Sequence, residues 1–347
     1  MRILIATDAW APQVSGVVTT LSRVGECLQA AGHELFFVTP DLFRTFPCPT
    51  YPEIQLAWVG QKRLNQLLRD FQPEAVHIAT EGPIGHAVRR FCLRHGWPFT
   101  TSYHTQFPQY LRLRLPLPVS ISYAYLRRFH RPAVRTLVAT ETIKRDLKAR
   151  GFEHLVLWNR GVDVDLFRPR DKGFVQDKRP VSMYLGRVAI EKNLEDFLQL
   201  DVPGSKYVVG AGPDLAMLEQ KYPQVRFVGC KRGEELAAWL AAADVFVFPS
   251  RTDTFGLAML EAMAAGVPVA AYPVAGPLDV VRHGITGFLH EDLGEAVREA
   301  LKLDPADCVA YASQHTWQAC AELLDSALAL FEANEAGAAL VTRQHLG

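Results

Sequence analysis

The chain has 347 residues, 49% of them hydrophobic, with 37 Lys+Arg balanced by 37 Asp+Glu. This suits a globular protein of two domains better than one, and the absence of any uninterrupted apolar run of about 18 to 20 residues excludes a membrane-spanning helix. Six scattered cysteines, with no Cys-x-x-Cys pair and no histidine cluster at zinc spacing, exclude a disulfide framework and a structural zinc site and point to reduced cytosolic thiols.

The neutral total hides a split. Residues 1–173 hold 23 Lys+Arg against 14 Asp+Glu, and the remainder holds 14 against 23. No acidic residue occurs between Glu81 and Glu141, whereas Arg89, Arg90, Arg94, Arg112, Arg114, Arg127, Arg128, Arg131 and Arg135 all fall there.

In chain order, "MRILIATDAW" begins with a strand rather than an export signal. A loop with Pro12 and Gly16 follows, then "VVTTLSRVGECLQAAG" at helical spacing, closed by Gly32, and then the strand "ELFFVTP". The cycle recurs in "AVHIAT" with "GPIGHAVRRFCLRHG", in "PFTTSYHT" and in "TLVATETIKRDLKARG". Strands that are apolar without alternation are expected where both sheet faces are covered, so a parallel, doubly wound sheet is predicted. After a polar, proline-bearing segment at 168–180, the best linker candidate, a second cycle begins: "VSMYLGRV", "NLEDFLQL", "SKYVVGAG", "DLAMLEQKY", "VRFVGC", "EELAAWLAAA" and "DVFVFPS". The predicted domains are 1–170, completed by a C-terminal helix at about 316–335, and 178–315, two Rossmann-like sheets facing each other across a cleft.

The segments "YLGRVAIEKN", "VGAGP", "VRFVG", "AAADVFVFPSRTDTFGLAMLEAMAAGVPV" and "HGITGFL", together with "TDAWAPQVSGVVTTL" and "NRGVDVDLFRP", resemble the retaining glycosyltransferases of family four, which have the GT-B architecture. The resemblance spans nearly the whole chain. It implies that Asp253 and Glu261 hold the family's two acid positions eight residues apart, although Asp253 is one methylene shorter than the family's Glu. The first would contact donor-sugar hydroxyls. The second, in the first turn of a helix, would bind the nucleotide ribose, and its two acceptor oxygens suit a vicinal diol. Thr254, Phe255, Gly256 and Leu257 lie between, with Gly256 allowing backbone N–H groups to approach sugar and diphosphate. An N-cap Asp and a solvated helical Glu is the ordinary alternative.

Gly186, Arg187 and Lys192 follow a strand, and the resemblance makes the two cations stabilisers of the departing nucleotide diphosphate. Simple surface salt bridges are the ordinary alternative. Metal is not called for, since the only Asp-x-Asp triplet, Asp163-Val164-Asp165, lies in the "NRGVDVDLF" segment. Gly16 is expected to offer backbone N–H groups to the donor phosphate, with plain turn chemistry as the rival. His104 ends a strand at its carboxyl side and is placed by resemblance against the donor sugar, a satisfied core histidine being the rival. Gly212 borders the nucleotide site, and Cys230 and Lys231, with Arg232, lie where the base rests.

The function implied is transfer of a hexose from a UDP- or GDP-sugar to a hydroxyl with retention, without cofactor or separate protein base. The Arg-rich, aromatic stretch Phe107–Arg135 favours a lipid acceptor, such as diacylglycerol or a phosphatidyl lipid, on the anionic inner face of the cell membrane; a packed helix pair with a solvated basic face is the alternative. No nucleic-acid module is recognisable. Transfer to a soluble or polysaccharide acceptor, and a sugar-nucleotide 2-epimerase on the same architecture, remain open. A nicotinamide oxidoreductase lacks its glycine fingerprint and acid.

Overall fold

A computed structural model describes residues 1–48, 51–113, 118–333 and 339–340. The chain forms two compact units, one of Met1–Thr105, Leu117–Asn159 and Gln318–Gly347, the other of Gln106–Pro116 and Arg160–Trp317.

The first unit contains strands β1 (Arg2–Ala6), β2 (Glu34–Val38), β3 (Arg44–Cys48), β4 (Tyr51–Trp58), β5 (Ala75–Ile78), β6 (Thr100–Tyr103), β7 (Arg135–Val138) and β8 (Leu155–Leu157). Six of them make one sheet in the order β2-β1-β5-β6-β7-β8, every pair parallel. Ile3, Leu4, Ile5 and Ala6 are fully buried, because helices cover both faces of the sheet. On one face Leu4, Ile78, Val88, Phe91 and Phe129 share a core. The helix Gly16–Ala30 shows how local sequence sets an element: Ser15 accepts from the Val18 N–H at 3.3 Å and caps it, Leu21, Val24 and Leu28 form its buried stripe, and Gly32 at φ +87° lets the chain turn away. The helix Trp317–Ala327 belongs to this unit from Gln318 onward, anchored where the Trp158 indole donates to the Cys320 carbonyl at 2.9 Å. It ends at Ala327, short of the expected residue 335, and part of that expected span lies outside the described residues.

The antiparallel ribbon of β3 and β4 was not expected. Pro47 and Pro52 break the usual strand pattern, and a two-stranded ribbon tolerates them because both its strands are edges.

The second unit holds β9 (Val181–Leu185), β10 (Ser205–Val209), β11 (Arg226–Phe227), β12 (Val245–Phe248), β13 (Val269–Ala271) and β14 (Gly287–Leu289). They pair in parallel in the order β11-β10-β9-β12-β13-β14, the order of a dinucleotide-type sheet. Connections leave in opposite directions from β9 and β12, so the crevice at their carboxyl ends is where such a sheet receives ligands. The predicted linker 168–180 is instead part of this unit. Lys172 Nζ donates to the Ala243 carbonyl at 2.8 Å and pairs with Asp244 at 3.0 Å, and Arg179 reaches the Ala242 carbonyl at 2.8 Å, so these two cations tie the segment to the second unit. Among the described residues no helix is long and apolar enough to cross a membrane.

Candidate active site

The loops that leave β9 and β12 are stitched together. The Ser250 and Thr252 hydroxyls donate to the Glu191 carbonyl at 3.4 and 3.3 Å, and the Asn193 amide donates to the Pro249 carbonyl at 3.2 Å. Asn193 takes φ +53°, a left-handed conformation that asparagine tolerates, and this turns the chain just after Lys192. On the other side the Val188 N–H donates to the Ala211 carbonyl at 2.9 Å. A Cβ at Gly212 would come within 2.1 Å of the Val188 carbonyl oxygen, and one at Gly186 within 2.7 Å of the Tyr184 hydroxyl. Both positions therefore need the missing side chain.

In this frame Lys192 Nζ lies 2.5 Å from Asp253 Oδ1, with side chains 19% and 15% exposed. Burial alone would lower the ammonium, but the Asp253 charge, with Tyr110 and Tyr184 nearby, reverses this and holds Lys192 above the ordinary lysine value. It is a fixed cation. The second oxygen, Asp253 Oδ2, is buried with no hydrogen-bond partner among the described residues, which makes it an open acceptor. The N-cap reading of Asp253 does not hold, because the helix Leu257–Ala264 is preceded by Gly256 at φ +84°. A Cβ on Gly256 would sit 2.7 Å from Met259 and 2.8 Å from Phe248, so this glycine is required twice over. Thr254 and Phe255 are each 8% exposed, and Leu257 opens the helix.

Glu261 is the fifth residue of that helix, and no acid stands in its first turn; the expected place was one turn earlier. Burial pushes its carboxyl up to about 7, and no hydrogen bond or ion pair engages it among the described residues. A half-buried carboxyl left in this condition suits a ligand that donates hydroxyls to it. Arg187 lies over Glu191 at 4.0 Å, the Glu191 side chain being 3% exposed, and the Tyr184 hydroxyl donates to the Arg187 carbonyl at 2.8 Å.

The other predicted residues lie on other elements. Cys230 and Lys231 follow the edge strand β11, separated from β9 by β10; Cys230 is exposed and Lys231 pairs with Glu235 at 2.7 Å. Gly16 and His104 belong to the first unit. Gly16 is the first residue of its helix, and His104 follows β6, 9% exposed, its ring 5.6 Å from that of Trp158. Asp163 Oδ1 accepts from the Leu166 N–H at 3.0 Å, and among the described residues no group of three or more His, Cys, Asp or Glu could hold a metal ion.

Sequence reasoning missed the contribution of the helix Phe107–Arg112, which belongs to the second unit. The Gln106 amide donates to the Asp253 carbonyl at 3.4 Å. Tyr110 is hydrogen-bonded to Thr252 and pushed up to about 12 by burial, with Lys192 opposing. No local signal marks these residues, because they stand some 80 to 150 positions from their partners. Of the expected basic surface, Arg114 lies outside the described residues. Arg89, Arg127 and Arg135 tie down the carbonyls of Phe129, Arg150 and Ala327 at 2.8, 2.7 and 3.0 Å.

The family description "Glycosyl transferases group 1" matches residues 179–303, and "Glycosyltransferase Family 4" matches 14–166. A GDP-mannose-dependent alpha-mannosyltransferase of Mycobacterium tuberculosis is 30% identical over 315 residues, 83% of this chain and 83% of that one. An alpha-monoglucosyldiacylglycerol synthase of Streptococcus pneumoniae is 27% identical, covering 88% and 79%. Among solved structures, a sucrose-phosphate synthase from Thermosynechococcus elongatus superposes with a TM-score of 0.78 at 21% identity, over 94% of this chain and 98% of that one. With the two doubly wound sheets and a relative this similar along most of its length, the chain belongs to the group 1, family 4 glycosyltransferases of GT-B fold and is a nucleotide-sugar-dependent glycosyltransferase.

Proposed function

We propose that the protein moves a hexosyl unit from a nucleotide-diphosphate sugar to a hydroxyl of a membrane lipid, with retained configuration and without a metal ion. The observation that carries the donor half of this reading is the Lys192–Asp253 pair at the carboxyl ends of β9 and β12, which leaves one Asp253 oxygen open. Lys192 and Arg187 then meet the negative charge that grows on the departing diphosphate. Asp253 Oδ2 accepts from a sugar hydroxyl, Glu261 accepts from the ribose diol, and the N–H groups from Thr254 to Leu257 approach the diphosphate past Gly256. The leaving phosphate oxygen takes the acceptor's proton, so attack and departure share one face. Gly16 and His104 are assigned to the donor from the first unit, and Gly186, Gly212, Cys230 and Lys231 to its phosphates and base.

A lipid acceptor is supported by relatives named for glucosyldiacylglycerol and for phosphatidylinositol dimannoside. It is also supported by the helix Val119–His130, which turns Ile121 (59% exposed) and Tyr125 (50%) outward beside exposed Arg127, Arg128 and, just past its end, Arg131. That pairing of apolar and cationic groups suits peripheral binding to the anionic, cytoplasmic leaflet. The test is a thermal-shift panel of GDP-mannose, UDP-glucose and related donors, followed by release of nucleotide diphosphate with lipid vesicles. One donor should raise the melting temperature with its occupancy, and vesicles carrying anionic lipid should float the protein. Indifference to every nucleotide sugar overturns the donor assignment, and indifference to lipid charge overturns the membrane assignment.

A further inference from the structure

The carboxyl edge of the first unit's sheet carries a second constellation. Between β5 and the helix Pro83–His95, the loop 79–82 is locked by Asp8. Asp8 Oδ1 accepts from the Ile84 N–H at 2.8 Å, and Oδ2 accepts from the Thr80 hydroxyl at 2.8 Å and the Gly85 N–H at 3.3 Å. The Thr80 hydroxyl in turn accepts from the Asp8 N–H at 2.7 Å. A Cβ on Gly82 would approach Asp8 to 2.4 Å, so the loop has little freedom. Asp8 is consumed by this backbone work.

Glu81, in the same loop, is not. Its Oε1 lies 3.1 Å from His130 Nε2, the His130 side chain being 2% exposed and that of Glu81 18%. The other ring nitrogen, Nδ1, lies 2.9 Å from the Thr101 hydroxyl, which is 3.0 Å from that of Thr136. Both imidazole nitrogens are occupied, so His130 acts as a buried strut whose outward end is a carboxylate. Burying such a polar chain costs free energy that an apolar core would not, and stability alone gives no reason to end it on a partly exposed carboxylate. Glu81 Oε2 has no hydrogen-bond partner among the described residues. Beside it, His86 is hydrogen-bonded to the Tyr125 hydroxyl and lies edge-on to Phe129 at 4.8 Å. Burial, with the neighbouring Arg89 and Arg90, holds His86 below the ordinary histidine value, so this wall is polar and aromatic rather than a second charge.

We infer that Glu81, positioned by His130, binds the contiguous hydroxyls of a polyol acceptor head, with Tyr125 covering its C–H face. A carboxylate with a free oxygen accepts from adjacent hydroxyls, and the aromatic ring beside it matches the apolar face of a cyclic polyol. The inference rests on the glycosyl-transfer reading only for what happens next; the binding itself does not depend on it.

Two arms test it on the full-length chain. In the first, saturation-transfer NMR with myo-inositol and with glycerol compares the wild type with Glu81→Gln, which keeps a hydrogen bond to His130, and Glu81→Asp, which retracts the carboxylate. Wild type should bind myo-inositol, and both variants should weaken binding about 10- to 100-fold, as for a lost hydrogen bond to a charged group, with unchanged melting temperature. In the second, transfer to phosphatidylinositol and diacylglycerol in mixed micelles is set against donor hydrolysis. Glu81→Gln should raise the acceptor KM by a similar factor, with donor hydrolysis within about twofold of wild type. Absence of polyol binding by the wild type, or equal binding by the variants, overturns the inference. So does a parallel fall in transfer and hydrolysis, which would mark Glu81 as merely structural. Failure of all sugar transfer would sink the transfer reading while the NMR arm still decides Glu81.

Discussion

Replacing Lys192 by alanine removes the cation that stands 2.5 Å from Asp253 Oδ1. Because the ammonium is held above the ordinary lysine value, its stabilising contribution is complete below about pH 10.5 and is lost only as pH rises through that higher folded value. Assays at neutral pH therefore compare a fully charged pair with none. In the transition state the missing charge should cost about as much as a lost oxyanion-hole donor, ~10²–10³ in turnover or about 3–4 kcal/mol. Donor binding should weaken less, since only the charge that develops during departure depends on the full interaction. A separate effect falls on stability. An uncompensated carboxylate in a dry interior costs ~3–5 kcal/mol, but Asp253 keeps 15% exposure, so about 1–3 kcal/mol is expected after solvent screening. Asp253→Asn combined with Lys192→Ala should recover part of that, with a coupling of ~0.5–3 kcal/mol. Release of nucleotide diphosphate gives turnover, and donor-dependent melting gives binding. Turnover within about threefold of wild type, or strictly additive single and double variants, would refute the role given to the pair.

For Glu261, pushed up to about 7 from 4.5 by burial, the fold prefers the protonated form. Its contribution is present below about pH 4.5 and is lost as pH rises through about 7, with ~3 kcal/mol as the upper bound. Thermal melts of Glu261→Gln should lack that loss, and an identical pH profile in both proteins would contradict it. Gly256→Ala forces a left-handed φ on a residue with a Cβ and pushes it to within 2.7 Å of Met259; calorimetry should find a loss of ~1–3 kcal/mol and weaker donor binding, and a neutral substitution would count against the loop assignment. Asp8→Ala orphans the Ile84 N–H, the Gly85 N–H and the Thr80 hydroxyl, and chemical denaturation should show a cost of ~2–4 kcal/mol, whereas a change under about 0.5 kcal/mol would dismiss the lock around Glu81.

Much of the architecture was legible because apolar continuity reports burial directly. "RILIAT" and "DVFVFPS" have no polar alternation, and each became a strand covered on both faces. The ribbon of β3 and β4 was not legible, since Pro47 and Pro52 erase the pattern on which strand recognition depends. The segment 168–180 looked like a linker by composition, yet Lys172 and Arg179 reach carbonyls that nothing local announces. Composition records which residues are polar, not where their partners stand.

The chain order of apolar runs and turn residues by itself determined two parallel α/β sheets, and the motif residues Lys192, Asp253, Gly256 and Glu261 fall in one of them, the half expected to bind the donor. Tertiary structure alone decided that Lys192 and Asp253 share an ion pair, that Gln106 and Tyr110 join them, and that Glu81 stands on a buried histidine 49 residues away in the chain. The reason is physical: secondary structure follows from periodicities of two and 3.6 residues carried by neighbouring side chains, whereas a hydrogen bond or ion pair between distant segments depends on sheet order and loop geometry that no single stretch encodes.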